Sequence, residues 1–132
     1  MKTILCLFPV LLLLFLDKPS FGHSWMAPED AAKRKNPAPV STESVQHGEA
    51  LFTELCASCH GIKGAGFSKE KTGLRVDTPN LPSNLQTHSD GDFHWKIVNG
   101  NDDMPSFEDH LSEKEIWNII NYIRSLIDDP NS

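Results

Sequence analysis

The residues best placed for chemistry in this chain are Cys56-Ala57-Ser58-Cys59-His60. Two thiols three residues apart share one face of a helical turn. Both can reach the vinyl groups along one porphyrin edge, and the adjacent histidine can turn under the ring to bind iron axially. C-x-x-C-H is the spacing of a c-type haem attachment site. Three other chemistries use the same residue types. A thioredoxin-like redox pair needs strands alternating with helices, and no strand pattern flanks the motif. A zinc site needs further ligands, and the chain has no second C-x-x-C. A disulfide between Cys56 and Cys59 would close too short a loop to stabilise much. The pattern therefore points to one covalent haem c, with Cys56 and Cys59 as thioethers and His60 bound to the iron.

The second axial position decides what such a haem can do. Candidates outside the first 22 residues are Met26, Met104 and the histidines at 23, 47, 88, 94 and 110. Met104 precedes Pro105, which biases it towards extended backbone, so its thioether is presented on a loop rather than packed inside a helix. A neutral sulfur ligand favours ferrous iron and raises the potential. His94, in a short helical segment, is the better alternative. His47 reads as a surface residue of the first helix, and His88 and His110 as exposed loop residues.

Helical elements must position these groups. The first is expected over residues 42–56, capped by Ser41 or Thr42, with Val45, Gly48, Leu51, Phe52 and Leu55 forming one buried stripe. Gly48 costs that helix about 1 kcal/mol against alanine, which calls for a packing reason such as close approach of another helix. Gly61, Gly64 and Gly66 read as a loop able to pass close to a flat ligand. Residues 78–84 read as extended or turn-rich. A short helix capped by Ser89 or Asp90 and ended by Gly100 carries Phe93, Trp95, Ile97 and Val98. The last helix opens on the capping box Ser112-x-x-Glu115. Its apolar face is Ile116, Ile119, Ile120, Ile123, Leu126 and Ile127, with Glu113, Lys114, Asn118, Asn121 and Arg124 mostly elsewhere; Asp128-Asp129-Pro130 stops it.

The chain of 132 residues suits one domain behind a leader. A short basic start, an apolar run over residues 4–16 and small residues at 20, 22 and 24 have the anatomy of a secretory signal peptide, residues 1–22. Cleavage after Gly22 or after Ser24 fits, the first slightly better, and Cys6 leaves with the leader. The run is shorter than the roughly 18 residues of a membrane span, so no stable membrane insertion is expected. Loss of Lys2, Asp17 and Lys18 moves the formal charge from −6 to −7. That balance excludes nucleic acid as a partner class and suits a positively charged protein surface. Residues 23–41 read as an irregular extension and linker in which Trp25 and Met26 either pin the tail or leave it disordered, and Lys33-Arg34-Lys35 reads as a solvated patch. The core domain is residues 42–128 and the tail 129–132.

In order along the chain, the haem motif, Thr78-Pro79-Asn80-Leu81, Met104-Pro105 and the helix from Ile116 to Arg124 resemble the small single-haem (class I) cytochromes c of bacteria, over about residues 42–127. The resemblance implies an all-α fold, three to four helices around one covalently attached haem. It implies that the first and last helices cross, setting Gly48 and Phe52 against Ile119 and Tyr122. It also implies that the Pro79 carbonyl accepts from His60 Nδ1–H, that Leu81 packs on the haem and that Met104 is the distal ligand. Propionate partners stay open, with Trp95 and Arg75 as candidates. With both iron faces filled there is no open site for substrate, so the expected role is not an enzyme but a monomeric periplasmic one-electron carrier. It would run between a donor dehydrogenase or quinol-oxidising complex and a terminal reductase or oxidase in a respiratory chain. The alternatives are a haem-based gas-ligand binder or sensor, and the electron-entry subunit of one oxidoreductase complex.

Overall fold

The longest apolar face in the sequence organises the structure, a computed structural model that describes residues 25–127. Among the described residues seven helices run in chain order: α1 (Glu29–Ala32), α2 (Thr42–Leu55), α3 (Ala57–His60), α4 (Lys69–Thr72), α5 (Leu81–Thr87), α6 (Asp90–Asn99) and α7 (Glu113–Ser125). No strand occurs among the described residues, and the fold is all-α as expected. The leader, His23, the residues stopping the last helix and the tail 129–132 lie outside the described residues.

α7 starts on the expected capping box, with the Ser112 side chain and Glu115 satisfying each other's backbone N–H groups. Ile116, Ile119, Ile120 and Ile123 are at most 2 % exposed. This face packs across α2, which begins at Ser41 as N-cap. Gly48 is the crossing point: a Cβ there would lie 2.5 Å from the carbonyl carbon of Asn118. Phe52 fills the space one turn on, its ring 5.3 Å from that of Tyr122. The pairing of Gly48 and Phe52 with the last helix is therefore as the resemblance implied.

Asn118 and Asn121 are not on the outer face. Both are buried at the crossing, in a network of short side chains. Ser44 Oγ donates to Asn118 Oδ1 at 2.8 Å, and Asn121 Nδ2 donates to Ser44 Oγ at 2.7 Å. His47 Nδ1 lies 3.1 Å from Asn118 Nδ2 at the rim. Helices brought this close by a glycine leave no room for large apolar side chains, and mutual hydrogen bonds make the small polar ones tolerable there.

Two further readings change. Residues 81–87 form α5 rather than an extended turn: Asn80 caps it, accepting from Ser83 N–H, and Pro82 sits in the first turn, where its missing N–H is harmless. The extension 25–41 contains α1 and lies against α6 and α7. Lys33, Arg34 and Lys35 are exposed, as expected of a solvated patch, and Arg34 in addition lies with its guanidinium 5.6 Å from the Trp117 ring and pairs with Glu113. Asn36 Nδ2 donates to Asn121 Oδ1 at 2.8 Å, which joins the extension to the polar network.

Candidate haem-binding cleft

The motif sits where α2 gives way to α3. Cys56 ends one helix and caps the next, and its carbonyl accepts from both Cys59 N–H and His60 N–H. One helical turn thus carries Cys56, Cys59 and His60 to the wall of a single cleft. Both thiols are free and half-buried. Burial, and after it the proximity of Cys59, pushes the Cys56 thiol up to about 12. A charged thiolate is disfavoured in that apolar wall, whereas a thioether sulfur, with no proton to lose, suits it.

Facing segments are laced to this turn by a loop the sequence reading assigned to ligand contact. Gly66 N–H donates to the His60 carbonyl and Leu81 N–H to the Gly64 carbonyl, both at 2.8 Å. Gly66 has φ +78°, and a Cβ on it would lie 2.9 Å from the Pro79 carbonyl oxygen. Its lack of a side chain thus serves the approach of the Pro79 segment. Thr78, beside Pro79 in the sequence, is the staple here. Its hydroxyl donates to the Cys59 carbonyl at 2.7 Å and accepts from Phe67 N–H at 2.7 Å. The only signal for it was its place next to Pro79.

His60 Nδ1 is buried without a partner at hydrogen-bonding geometry. Burial holds the imidazole below its usual range, and the nearby Pro79 carbonyl, which favours the protonated ring, opposes this in part. The carbonyl is thus close to the ring but not aligned as a full hydrogen bond. With its proton on Nδ1, beside that carbonyl, a neutral imidazole keeps its lone pair on Nε2, the form in which histidine can bind a metal. Met104 lies on the same cleft, in a tight turn closed by Asn101 N–H to Met104 O (2.9 Å) and Met104 N–H to Asn101 O (2.8 Å). The turn is anchored to α6 by Phe107 N–H on the Ile97 carbonyl and by Ser106 Oγ on the Val98 carbonyl. Arg75 ties it to the loop before Pro79, through Asp102 Oδ1 at 2.8 Å and its own N–H on Asp103 Oδ2 at 2.9 Å.

Among the described residues, His60 is the one histidine and Met104 the one methionine that line the cleft. His94, the alternative axial candidate, is elsewhere. Its ring stacks on Trp117 at 4.2 Å with Arg34 Nη1 3.4 Å from Nδ1, because α6 turns it towards α7 and the extension. Met26 is exposed and away from the cleft. His47 and His110 are exposed, as expected, while His88 is partly buried, its Nδ1 2.8 Å from the Asn84 carbonyl oxygen. Trp95 and Arg75 do not line the cleft; Trp25 and Lys96 do.

The cleft encloses about 240 Å³ and is walled by Phe52, Leu81, Phe93, Ile97, Phe107 and Ile123 among others. An apolar cleft with two thiols and a neutral imidazole on one wall and a thioether on the same lining has the donor set of a haem site.

The fold and cleft define a single-haem cytochrome c of class I. A family model described as "Cytochrome C oxidase, cbb3-type, subunit III" matches residues 43–123, and the chain belongs to that cytochrome c family. It is similar to cytochrome c6 of Bumilleriopsis filiformis, 32 % identical over 61 % of this chain and 90 % of the relative. It is also similar to cytochrome c6 of Cyanidioschyzon merolae, 35 % identical over 64 % of this chain and 76 % of the relative. A chain of the Kuenenia stuttgartiensis reducing HAO-like protein complex superposes with a TM-score of 0.54 at 20 % identity, over 69 % of this chain and 47 % of that one. That likeness concerns the fold alone. The protein is a haem electron-carrier cytochrome with covalently bound haem c.

Proposed function

We propose that Cys56 and Cys59 form the thioethers, that His60 and Met104 are the axial ligands, and that the protein is a periplasmic carrier rather than an enzyme. Bound there, the haem supplies a ferric–ferrous couple for one-electron exchange. The chain's own residues do the rest. Pro79 sets the orientation of the His60 ring, Leu81 packs on the haem face, and the Arg75–Asp102–Asp103 contacts hold the Met104 turn in place. The observation that carries this reading is the sorting of ligands: the cleft takes His60 and Met104 and leaves the other described histidines and Met26 outside it.

Leu55 and Val76 are exposed at the cleft mouth, 36 % and 66 %, and Asp77, Asp102 and Asp103 stand beside them. An apolar centre on a chain of net negative formal charge suits brief docking on a basic surface of a donor dehydrogenase or quinol-oxidising complex and of a terminal reductase or oxidase. The family description names an oxidase subunit, which supports a second reading, a permanent electron-entry subunit of one complex. Gel filtration of native extract separates the two: a carrier elutes as one small species, a subunit with its complex.

The test of the ligand set is the absorption spectrum of the oxidised protein beside Met104→His. The wild type is expected to show the weak near-infrared sulfur–iron band and the variant to lose it. A wild-type spectrum without that band would refute Met104 as ligand.

A further inference from the structure

The matched family span begins at residue 43, yet one wall of the cleft comes from before it. Trp25 lines the cleft. It is kept there by a latch on α6. Asp92, 2 % exposed, accepts Ala27 N–H on Oδ1 at 2.9 Å and pairs its other oxygen with Lys96 Nζ at 2.6 Å. Lys96 is itself a cleft residue, and its ammonium lies 5.5 Å from the centre of the Trp25 ring. Behind the latch, Ser89 Oγ donates to the Ala32 carbonyl at 2.5 Å. The extension's backbone then lies so close to α6 that a Cβ on Gly91 would be 2.7 Å from Arg34 O and 2.9 Å from Ala32 O. The Asp92 carboxylate, paired with Lys96, keeps Oδ1 for Ala27 N–H, and a charged acceptor makes this the stronger kind of hydrogen bond tying the strap to α6.

We propose that Trp25, positioned by Asp92 and Lys96, is part of the haem-binding wall and limits how far the haem is open to water. The inference rests on this cleft being the haem site. Haem burial sets the potential. Water at the ring stabilises the more highly charged ferric state, so removing the Trp25 cover lowers the midpoint potential. Trp25 is a positioning and covering residue, not an iron ligand.

The experiment uses the full haem-loaded protein with three variants: Trp25→Ala, Gly91→Ala, and Trp25→Phe combined with Gly91→Ala. Gly91→Ala displaces the strap without touching the cleft and does not weaken α6, since alanine is the better helix former. Trp25→Ala and Gly91→Ala are both expected to lower the midpoint potential while keeping the sulfur–iron band. Gly91→Ala should also raise tryptophan emission, because Trp25 moves away from the quenching haem, and that rise should be smaller when Phe replaces Trp25. Unchanged potential in both single variants, with the band retained, would overturn the proposal. So would a rise in emission that is undiminished without Trp25. A wild type lacking the band would instead fail the Met104 assignment, and the comparison of potentials would still decide the role of Trp25.

Discussion

Replacing Gly48 by alanine sets two effects of opposite sign against each other. In an isolated helix the change stabilises by about 1 kcal/mol. Here the new methyl meets main chain, the carbonyl of Asn118, rather than the end of a flexible side chain. Ordinary contact begins at 3.4 Å, the Asn118 carbonyl carbon would be at 2.5 Å and its oxygen nearer still, so α2 and α7 must part by at least about 1 Å. A gap of that size forfeits roughly a quarter to a half of each dispersion contact across it. The contacts at stake belong to Phe52, Ile119, Tyr122 and Ile123, all at most 4 % exposed. Overpacking costs about 1–3 kcal/mol where side chains can yield, and backbone yields less. The expected outcome is a net loss of about 2 kcal/mol or more. Chemical denaturation of the haem-loaded protein followed by circular dichroism measures it, and Ala50→Gly on the exposed face of the same helix supplies the propensity term. If Gly48→Ala proves as stable as the wild type or more so, the close crossing is wrong.

Ser44→Ala should cost about 1–3 kcal/mol, because it takes a partner from both Asn118 Oδ1 and Asn121 Nδ2 in a buried place. A lower denaturation midpoint with an unchanged slope is the sign to look for. His94 carries a pH dependence. Burial chiefly, and then Arg34, hold its ring below the usual histidine range, while Glu113 opposes them. The unfolded chain therefore binds the proton first as pH falls through the ordinary histidine range. Stability should drop there, by at most about 1.4 kcal/mol per pH unit for this one proton, until the folded form titrates too. His94→Gln should flatten that slope in urea titrations run between pH 5 and 8, and an unaltered slope would assign the dependence to other groups.

Helix positions followed from local signals that survive in the fold. Ser41, Ser89 and the Ser112–Glu115 box all cap as their residue types suggest. Gly48 was legible as a packing site because a glycine in an apolar stripe needs a reason. The haem motif was legible because five adjacent residues carry it. What could not be read depends on distant partners. Pro82 looks like a breaker until Asn80 is known to cap a helix before it. Asn118 and Asn121 look solvent-facing until Ser44, more than 70 residues away, is brought against them. Trp25 and Arg34 sit in a polar, proline-rich stretch that is placed by contacts with α6 and α7.

The crossing of α2 and α7 also has a temporal meaning. Ser44 and Asn118 are 74 residues apart, so the central contact of the fold closes over nearly the whole domain, with Cys56, Cys59 and His60 inside the loop. Ribosomal synthesis delivers α7 last, and until it arrives α2 has nothing to cross. A cysteine reacts as its thiolate, and in the finished fold the Cys56 thiol stands at about 12. Burial in the closed fold thus disfavours the reactive thiolate of Cys56, and attachment there is easier before the two ends of the chain meet. Once they do, the same burial that makes the sulfur a poor nucleophile shields the completed bond.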